Sequence, residues 1–234
     1  MPKRYDHQDI QKEINEAMKC PKTLYRADFV LYTSNIKSTK DRCSEFVAQY
    51  LLNNKNEFDS KIPKIPRRNP YISDSRNGVH DWSESNQIEK KIAYKMRNRS
   101  QKEKRDFTHI GKILDYEVPL SDTQNYDAGE IDLLAWDGKN LVILELKRPD
   151  SSETLLRCVL EAFTYWKTVD HEKLAKDFGH EDAPVRAAAL VFMNSQPHKD
   201  WLDDGQPHIK ELMERLGVGL YVLDNDKDLN VAEV

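Results

Sequence analysis

Cysteine is scarce: Cys20, Cys43 and Cys158 are the only three in 234 residues, far apart and with no Cys-x-x-Cys pair. That excludes a cysteine-zinc module and a disulfide framework, and fits the thiols of a reducing compartment. The seven histidines include no His-x-x-x-His spacing, which argues against a histidine-zinc hydrolase. No run approaches the roughly 18 apolar residues that cross a bilayer. The opening Met1-Pro2-Lys3-Arg4-Tyr5-Asp6 leads into polar sequence without the apolar core of a signal peptide. Internal repeats and low-complexity tracts are also missing. The expectation is a cytoplasmic chain with no membrane partner.

Charge, by contrast, is abundant, at 32% of residues against 38% hydrophobic. The length suits one good-sized domain, or a core with a substantial extension. The net charge of −4 conceals an asymmetry. Residues 1–114 hold 24 Lys and Arg against 15 Asp and Glu (+9), and residues 115–234 hold 12 against 25 (−13). The basic half contains Lys61-Ile62-Pro63-Lys64-Ile65-Pro66-Arg67-Arg68 and the stretch from Lys90 to Arg105, with Lys95, Arg97, Arg99, Lys102 and Lys104 between. Each run reads either as a solvated face or as a patch that neutralises phosphates. A basic half joined to an acidic half favours a nucleic-acid partner, with DNA the leading candidate. Trp82, Trp136 and Trp201 could stack bases, although core or loop packing suits each better.

Residues 1–80 read as an N-terminal α+β extension. Asp9 to Lys19 has helical spacing, Leu24 to Thr33 favours a strand, and Ser38 or Thr39 could cap a helix through Phe46 and Leu51. Pro63, Pro66, Pro70 and Asn77-Gly78 mark 61–80 as a basic loop. Residues 81–234 form the core domain. Ser83 can cap a helix through Ile88 and Met96, and Tyr116 to Leu120 reads as a strand. A hairpin follows, with Gly129 to Trp136 and Leu141 to Lys147 around Asp137-Gly138. Ser151 or Ser152 begins a helix that buries Leu155, Val159, Phe163 and Trp166. Val185 to Met193 is a strand, His208 to Leu216 a helix ending at Gly217, and Gly219 to Leu223 a last central strand. Asp224 to Val234 has room for a short hairpin.

The hairpin carries the chemistry. Leu141 to Leu144 are four consecutive aliphatic residues, a strand covered on both faces. Glu145 and Lys147 then share a face, with Leu146 on the other. Charges so placed are costly unless paired or holding a metal. Asp132, on the preceding strand, stands 13 residues before Glu145. Asp132 and Glu145 together suit Mg²⁺ or Mn²⁺, since Mg²⁺ uses one or two carboxylates and keeps several waters. Such an ion makes a water nucleophilic near neutral pH. Lys147 is placed to orient that water or to offset charge growing on a phosphate. The Asp/Glu-x-Lys triplet alone is weak, because Asp59-Ser60-Lys61 and Glu89-Lys90-Lys91 match it as well. Glu117 and Glu130 flank strands and read as exposed.

The order αβββαβ, with Asp132 on the second strand and Glu145-Leu146-Lys147 on the third, resembles the core of the PD-(D/E)xK nuclease superfamily over residues 84–223, about 140 of 234 positions. The resemblance implies an α/β, restriction-endonuclease-like core, a mixed central sheet flanked by helices, with Mg²⁺ (or Mn²⁺) as cofactor. It casts Asp132, Glu145 and Lys147 as catalytic. Glu89 becomes the additional acid on the preceding helix, with Glu84 its nearest competitor, and the Leu146 carbonyl a further metal ligand. Glu161-Ala162-Phe163-Thr164-Tyr165 looks like the Gln-x-x-x-Tyr signature of the RecB-like branch with Glu for Gln, so Glu161 and Tyr165 could line the site; an ordinary half-buried aromatic is the other reading of Tyr165. Ile131 stands where the name-giving proline would be. The implied activity is metal-dependent phosphodiester hydrolysis, with DNA engaged through Lys64, Arg67, Arg68, Lys95, Arg97 and Arg99. A homodimer would supply a second site for the second strand. The alternative is a catalytically inactive nucleic-acid-binding or assembly module on the same fold.

Overall fold

The computed structural model describes residues 5–72, 87–122 and 128–234. Trp82, Ser83 and Glu84 lie outside the described residues. Helices α1 (His7–Ala17), α2 (Cys43–Asn53), α3 (Lys55–Ser60) and α4 (Ile88–Lys102) precede three strands, β1 (Lys112–Pro119), β2 (Glu130–Trp136) and β3 (Leu141–Leu146). Helices α5 (Leu155–Thr168) and α6 (His171–Asp177) lead to β4 (Val185–Phe192). Then α7 (Gln196–Leu202) and α8 (Pro207–Leu216) lead to β5 (Val218–Leu223), and β6 (Val231–Glu233) closes the chain. The result is an α/β fold around one six-stranded mixed sheet of order β1-β2-β3-β4-β5-β6.

Strands β1, β2 and β3 form an antiparallel meander, β3, β4 and β5 run parallel, and β6 pairs antiparallel with β5. The switch at β3 follows from the connections. The Asp137-Gly138 turn joins neighbours directly, whereas parallel neighbours need a crossover, supplied by α5–α6 and again by α7–α8. Asp137 closes its turn by accepting the Lys139 and Asn140 N–H groups at 2.8 and 2.7 Å. Gly138 takes φ +97°, a conformation that suits a residue without Cβ.

Every residue of β3 is buried. Leu141 and Ile143 enter the cluster beneath α5, and Val142, Leu144 and Leu146 enter the one beneath α4. The four aliphatics therefore do sit between two covered faces. Helix α8 ends at Gly217 in the left-handed region, as its position predicts.

The N-terminal residues depart from expectation. No strand forms between Leu24 and Thr33, and among the described residues this part of the chain is helical with one isolated bridge, Asn35–Arg42, so the α+β extension is corrected to a helical one. Pro21 starts a 3-10 helix, Pro21–Arg26. Phe29 and Val30 are buried from a turn whose amides bond locally, Val30 N–H to Ala27 O at 2.9 Å, so apolar content was read as pairing. Helix α2 begins after Arg42, not at Ser38 or Thr39; the Thr39 hydroxyl is spent on a turn, donating to Ile36 O. Helix α5 is capped by Thr154 rather than Ser151 or Ser152, its oxygen accepting the Arg157 N–H at 3.1 Å. The buried side chains of α1 and α2 belong to the same hydrophobic cluster as α5 and α8. No helix among the described residues is long and apolar enough to cross a membrane.

Candidate active site

The C-terminal end of β3 and the N-terminal end of β2 meet at one end of the sheet, because the strands are antiparallel in the register Leu133–Leu144. One step further along, that register brings Asp132 and Glu145 side by side. Asp132 is half-buried and accepts the Leu146 N–H through Oδ2 at 2.8 Å. Glu145 and Lys147 are each 3% exposed. A salt bridge of 2.7 Å joins Lys147 Nζ to Glu145 Oε1, and the same ammonium reaches Glu161 Oε2 at 2.9 Å and Glu153 Oε2 at 3.1 Å. Two of its donors are hydrogen-bonded, to Glu145 and Glu161, and Glu153 joins the cluster as an ion pair. Arg157 adds a second cation, 2.9 Å from Glu153 and 3.5 Å from Glu161.

Helix α5 delivers Arg157, Glu161 and Tyr165 at four-residue intervals, hence along one stripe, and Glu153 joins them from the residue just before the Thr154 cap. The Tyr165 hydroxyl donates to Glu161 Oε1 at 3.2 Å. Glu89, on α4, accepts the Arg148 N–H at 3.1 Å and so ties α4 to the turn leaving β3 at the rim of the site.

The electrostatics do not balance. Four carboxylates (Asp132, Glu145, Glu153 and Glu161) face two cations, a surplus of two negative charges when all are ionised. Burial, reinforced by Asp132 and Glu161, pushes the Glu145 carboxyl well above its ordinary value. Burial also raises Asp132 to about 7, with Lys147 and the Leu146 N–H opposing. Burial alone would lift Glu161 too, but Lys147 and Arg157 outweigh it and hold that carboxyl below its usual range. Lys147 stands well above the normal lysine value, its burial outweighed by Glu145 and Glu161. Glu145 Oε2 is buried without any hydrogen-bond partner.

An orphaned, buried carboxylate oxygen beside a second acid of raised pKa is a fitting place for a divalent cation. Among the described residues no three His, Cys, Asp or Glu side chains converge into a closed metal cage. The donor set that fits is therefore the open, two-carboxylate kind formed by Asp132 and Glu145, as Mg²⁺ uses when it keeps waters. Leu146 donates its N–H to Asp132, a contact separate from the carbonyl expected to face the metal.

The basic residues are placed unequally. Lys64 and Arg68 are exposed. The Arg67 side chain is only 5% exposed; its guanidinium donates to the carbonyls of Pro119, Ser121, Asn69 and Pro70 and lies 3.9 Å from Asp122. It fastens the proline-rich strap to the end of β1. Lys95 and Arg99 donate to carbonyls of the β5–β6 loop, Asp226 O at 2.6 Å and Asp228 O at 2.7 Å, while Arg97 on the same helix is half-buried. Trp136 stacks on His180 with centroids 3.9 Å apart, and Trp201 lies beneath Lys210.

Two further features were not anticipated. Glu117 is buried, not exposed, at φ +51° and bonded to Lys90, which also reaches Glu130 at 3.5 Å. Burial and the neighbouring Glu130 raise its carboxyl to about 8. A charge between Tyr116 and Val118 in an apolar strand was the available signal. Glu153 and Arg157, which no sequence motif singles out, join the cluster through their ion pairs with Lys147 and Glu161. Gly129 takes φ +83°, and a Cβ there would fall 2.7 Å from the Tyr165 hydroxyl oxygen. Gly129→Ala is accordingly expected to displace Tyr165 and cost about 1–3 kcal/mol in urea denaturation; an unchanged midpoint would show that the ring swings clear at no cost. No family model, curated protein or solved structure matches the chain.

Proposed function

We propose that the protein is a metal-dependent nuclease, hydrolysing phosphodiester bonds in DNA, on a restriction-endonuclease-like core. The observation that carries this reading is the pairing of Asp132 with a Glu145 oxygen that is buried and unpartnered, two residues from a lysine held rigid by carboxylates. The succession α4-β1-β2-β3-α5, continuing through α6 to β4, supports it. A divalent cation bound there would supply a nucleophilic water and polarise the phosphoryl group.

The chain's own residues do the rest. Asp132 and Glu145 would hold the ion, and Asp132 is itself oriented by the Leu146 N–H. Lys147 would set the position of the attacking water and offset charge on the phosphate. Glu161 in place of an amide is accounted for by its partners: two cations, Lys147 and Arg157, face it, and an ionised acid accepts from both.

A plasmid cleavage assay with Mg²⁺ or Mn²⁺ tests the proposal. Cleavage is expected with either ion, and Asp132→Ala or Lys147→Ala should lower it on the order of 10²–10³-fold. Parent-like cleavage by both variants, or none by the parent, would overturn the reading. A non-catalytic binding or assembly module is the second reading, favoured by the engagement of the buried Lys147 ammonium with Glu145 and Glu161.

A further inference from the structure

We propose that Lys90, in the first turn of α4, is a positioning residue for Asp132, holding together the strand pair on which that carboxylate stands. The consequence rests on the nuclease reading, with Asp132 and Glu145 holding the ion, and the cause lies in how β1 meets β2. Tyr116 pairs with Leu133 and Val118 with Ile131, which sets Glu117 opposite Asp132, yet those two are not themselves a ladder pair. Glu117 has left the extended conformation, at φ +51°. A residue with a side chain is strained at that angle and keeps it only where its surroundings leave no alternative.

Both strands turn over at this step. Residues two apart on a regular strand share a face, but Tyr116 enters the cluster beneath α4 while Val118 enters the one beneath α5. Leu133 and Ile131 divide between the same two clusters in the same way. Asp132 lies at the switch. Regular pairing does not fix the backbone there, so its position depends on what else joins the two strands.

Lys90 joins them. Its ammonium is in salt-bridge contact with Glu117 on β1 and donates to Glu130 Oε2 on β2 at 3.5 Å. Glu130 stands two residues before Asp132 and Glu117 stands across from it, so one cation spans the irregular step from strand to strand. The Glu117 end is buried, at 7% exposure, which sets this bridge apart from a solvated surface pair. The neighbouring Glu89 accepts the Arg148 N–H. The first turn of α4 is therefore fastened to β1, to β2 and to the turn leaving β3.

Charge and position predict opposite signs for the loss of this lysine. An ammonium near a cation site repels the ion, so if Lys90 acts by charge alone, Lys90→Met should bind divalent metal more tightly than the parent. If it positions Asp132, the same substitution should weaken Mn²⁺ binding about tenfold in a calorimetric titration, and Lys90→Arg should restore most of the affinity. The Leu146 N–H, which donates to Asp132 Oδ2 at 2.8 Å, gives a second reading without metal. Its hydrogen exchange should quicken relative to the β5 amides in Lys90→Met and not in Lys90→Arg. Should Lys90→Met fail to fold, Lys90→Gln carries the same two expectations. Mn²⁺ bound as tightly as by the parent, or more tightly, overturns the proposal. If the parent takes up no Mn²⁺ or cleaves no DNA, the nuclease reading falls, and the Leu146 exchange decides the linkage, an unchanged rate overturning it.

Discussion

Lys147→Ala is expected to destabilise the protein by about 3–5 kcal/mol at pH 7, the cost of stripping the partner from a buried ion pair. The effect is large because the ammonium is 3% exposed and serves three carboxylates, two of which, Glu145 and Glu161, are themselves buried. The loss should also depend on pH in a defined direction. Glu161 is held below its ordinary pKa by Lys147 and Arg157 against its burial, and Glu145 already stands well above. With the lysine gone, both carboxyls rise above their unfolded values. A group whose folded pKa is raised takes up a proton on folding, so stability climbs as pH falls through that folded value. The deficit of Lys147→Ala should therefore shrink between pH 7 and pH 5 in paired urea titrations. A deficit that stays constant would mean that the carboxylates relax into water once the lysine is removed.

Divalent cation is expected to stabilise the parent by about 2.7 kcal/mol at a concentration one hundred times its Kd, and to do nothing for Asp132→Asn. Without metal, burial holds Asp132 near pKa 7. At pH 6 most molecules carry a proton on this carboxyl, which the ion must displace; at pH 8 few do. Binding should then be at least tenfold weaker at pH 6, removing about 1.4 kcal/mol of the stabilisation or more, since a proton on Glu145, whose carboxyl burial also raises, must be displaced as well. Thermal melts with Mg²⁺ or Mn²⁺ against EDTA, at both pH values, read this directly. Full metal stabilisation retained in Asp132→Asn would place the ion elsewhere. The measurement requires no substrate, so it tests the cradle independently of any activity.

Placement of the basic residues changes how a nucleic acid would be met. The run from Lys90 to Arg105 is strongly cationic, yet Lys90 pairs with Glu117 and Glu130, and Lys95 and Arg99 hold the β5–β6 loop. Much of that charge stitches α4 to its surroundings. Lys64 and Arg68 stay exposed, on a strap that Asp122 anchors by accepting the Arg68 and Asn69 N–H groups.

How far the chain can be read without coordinates depends on the range of the forces involved. The hairpin was legible because an Asp-Gly turn and a run of aliphatics are local signals, and β2 and β3 occupy nearly the predicted residues. Alternation along β3 likewise put Glu145 and Lys147 on one side, where they form a salt bridge. The helix ending at Gly217 is just as local, set by a backbone angle that glycine adopts without strain.

Other features came from distances along the chain that pattern does not span. Residues 24–33 carry strand-like composition, but among the described residues no partner strand adjoins them, and Leu24, Tyr25, Phe29 and Val30 are buried in the cluster shared with α5 from a helical turn instead. Glu117 looked like a surface acid until the sheet closed over it and Lys90 arrived from α4. Local sequence thus specified the hairpin and the acid-x-lysine on a covered strand, because turn chemistry and side-chain alternation act over a few residues. Only the packing of α5 and the residues leading into it against that strand gave Lys147 the carboxylates of Glu153 and Glu161, because burial and charge pairing are settled by what long-range folding brings within a few ångströms.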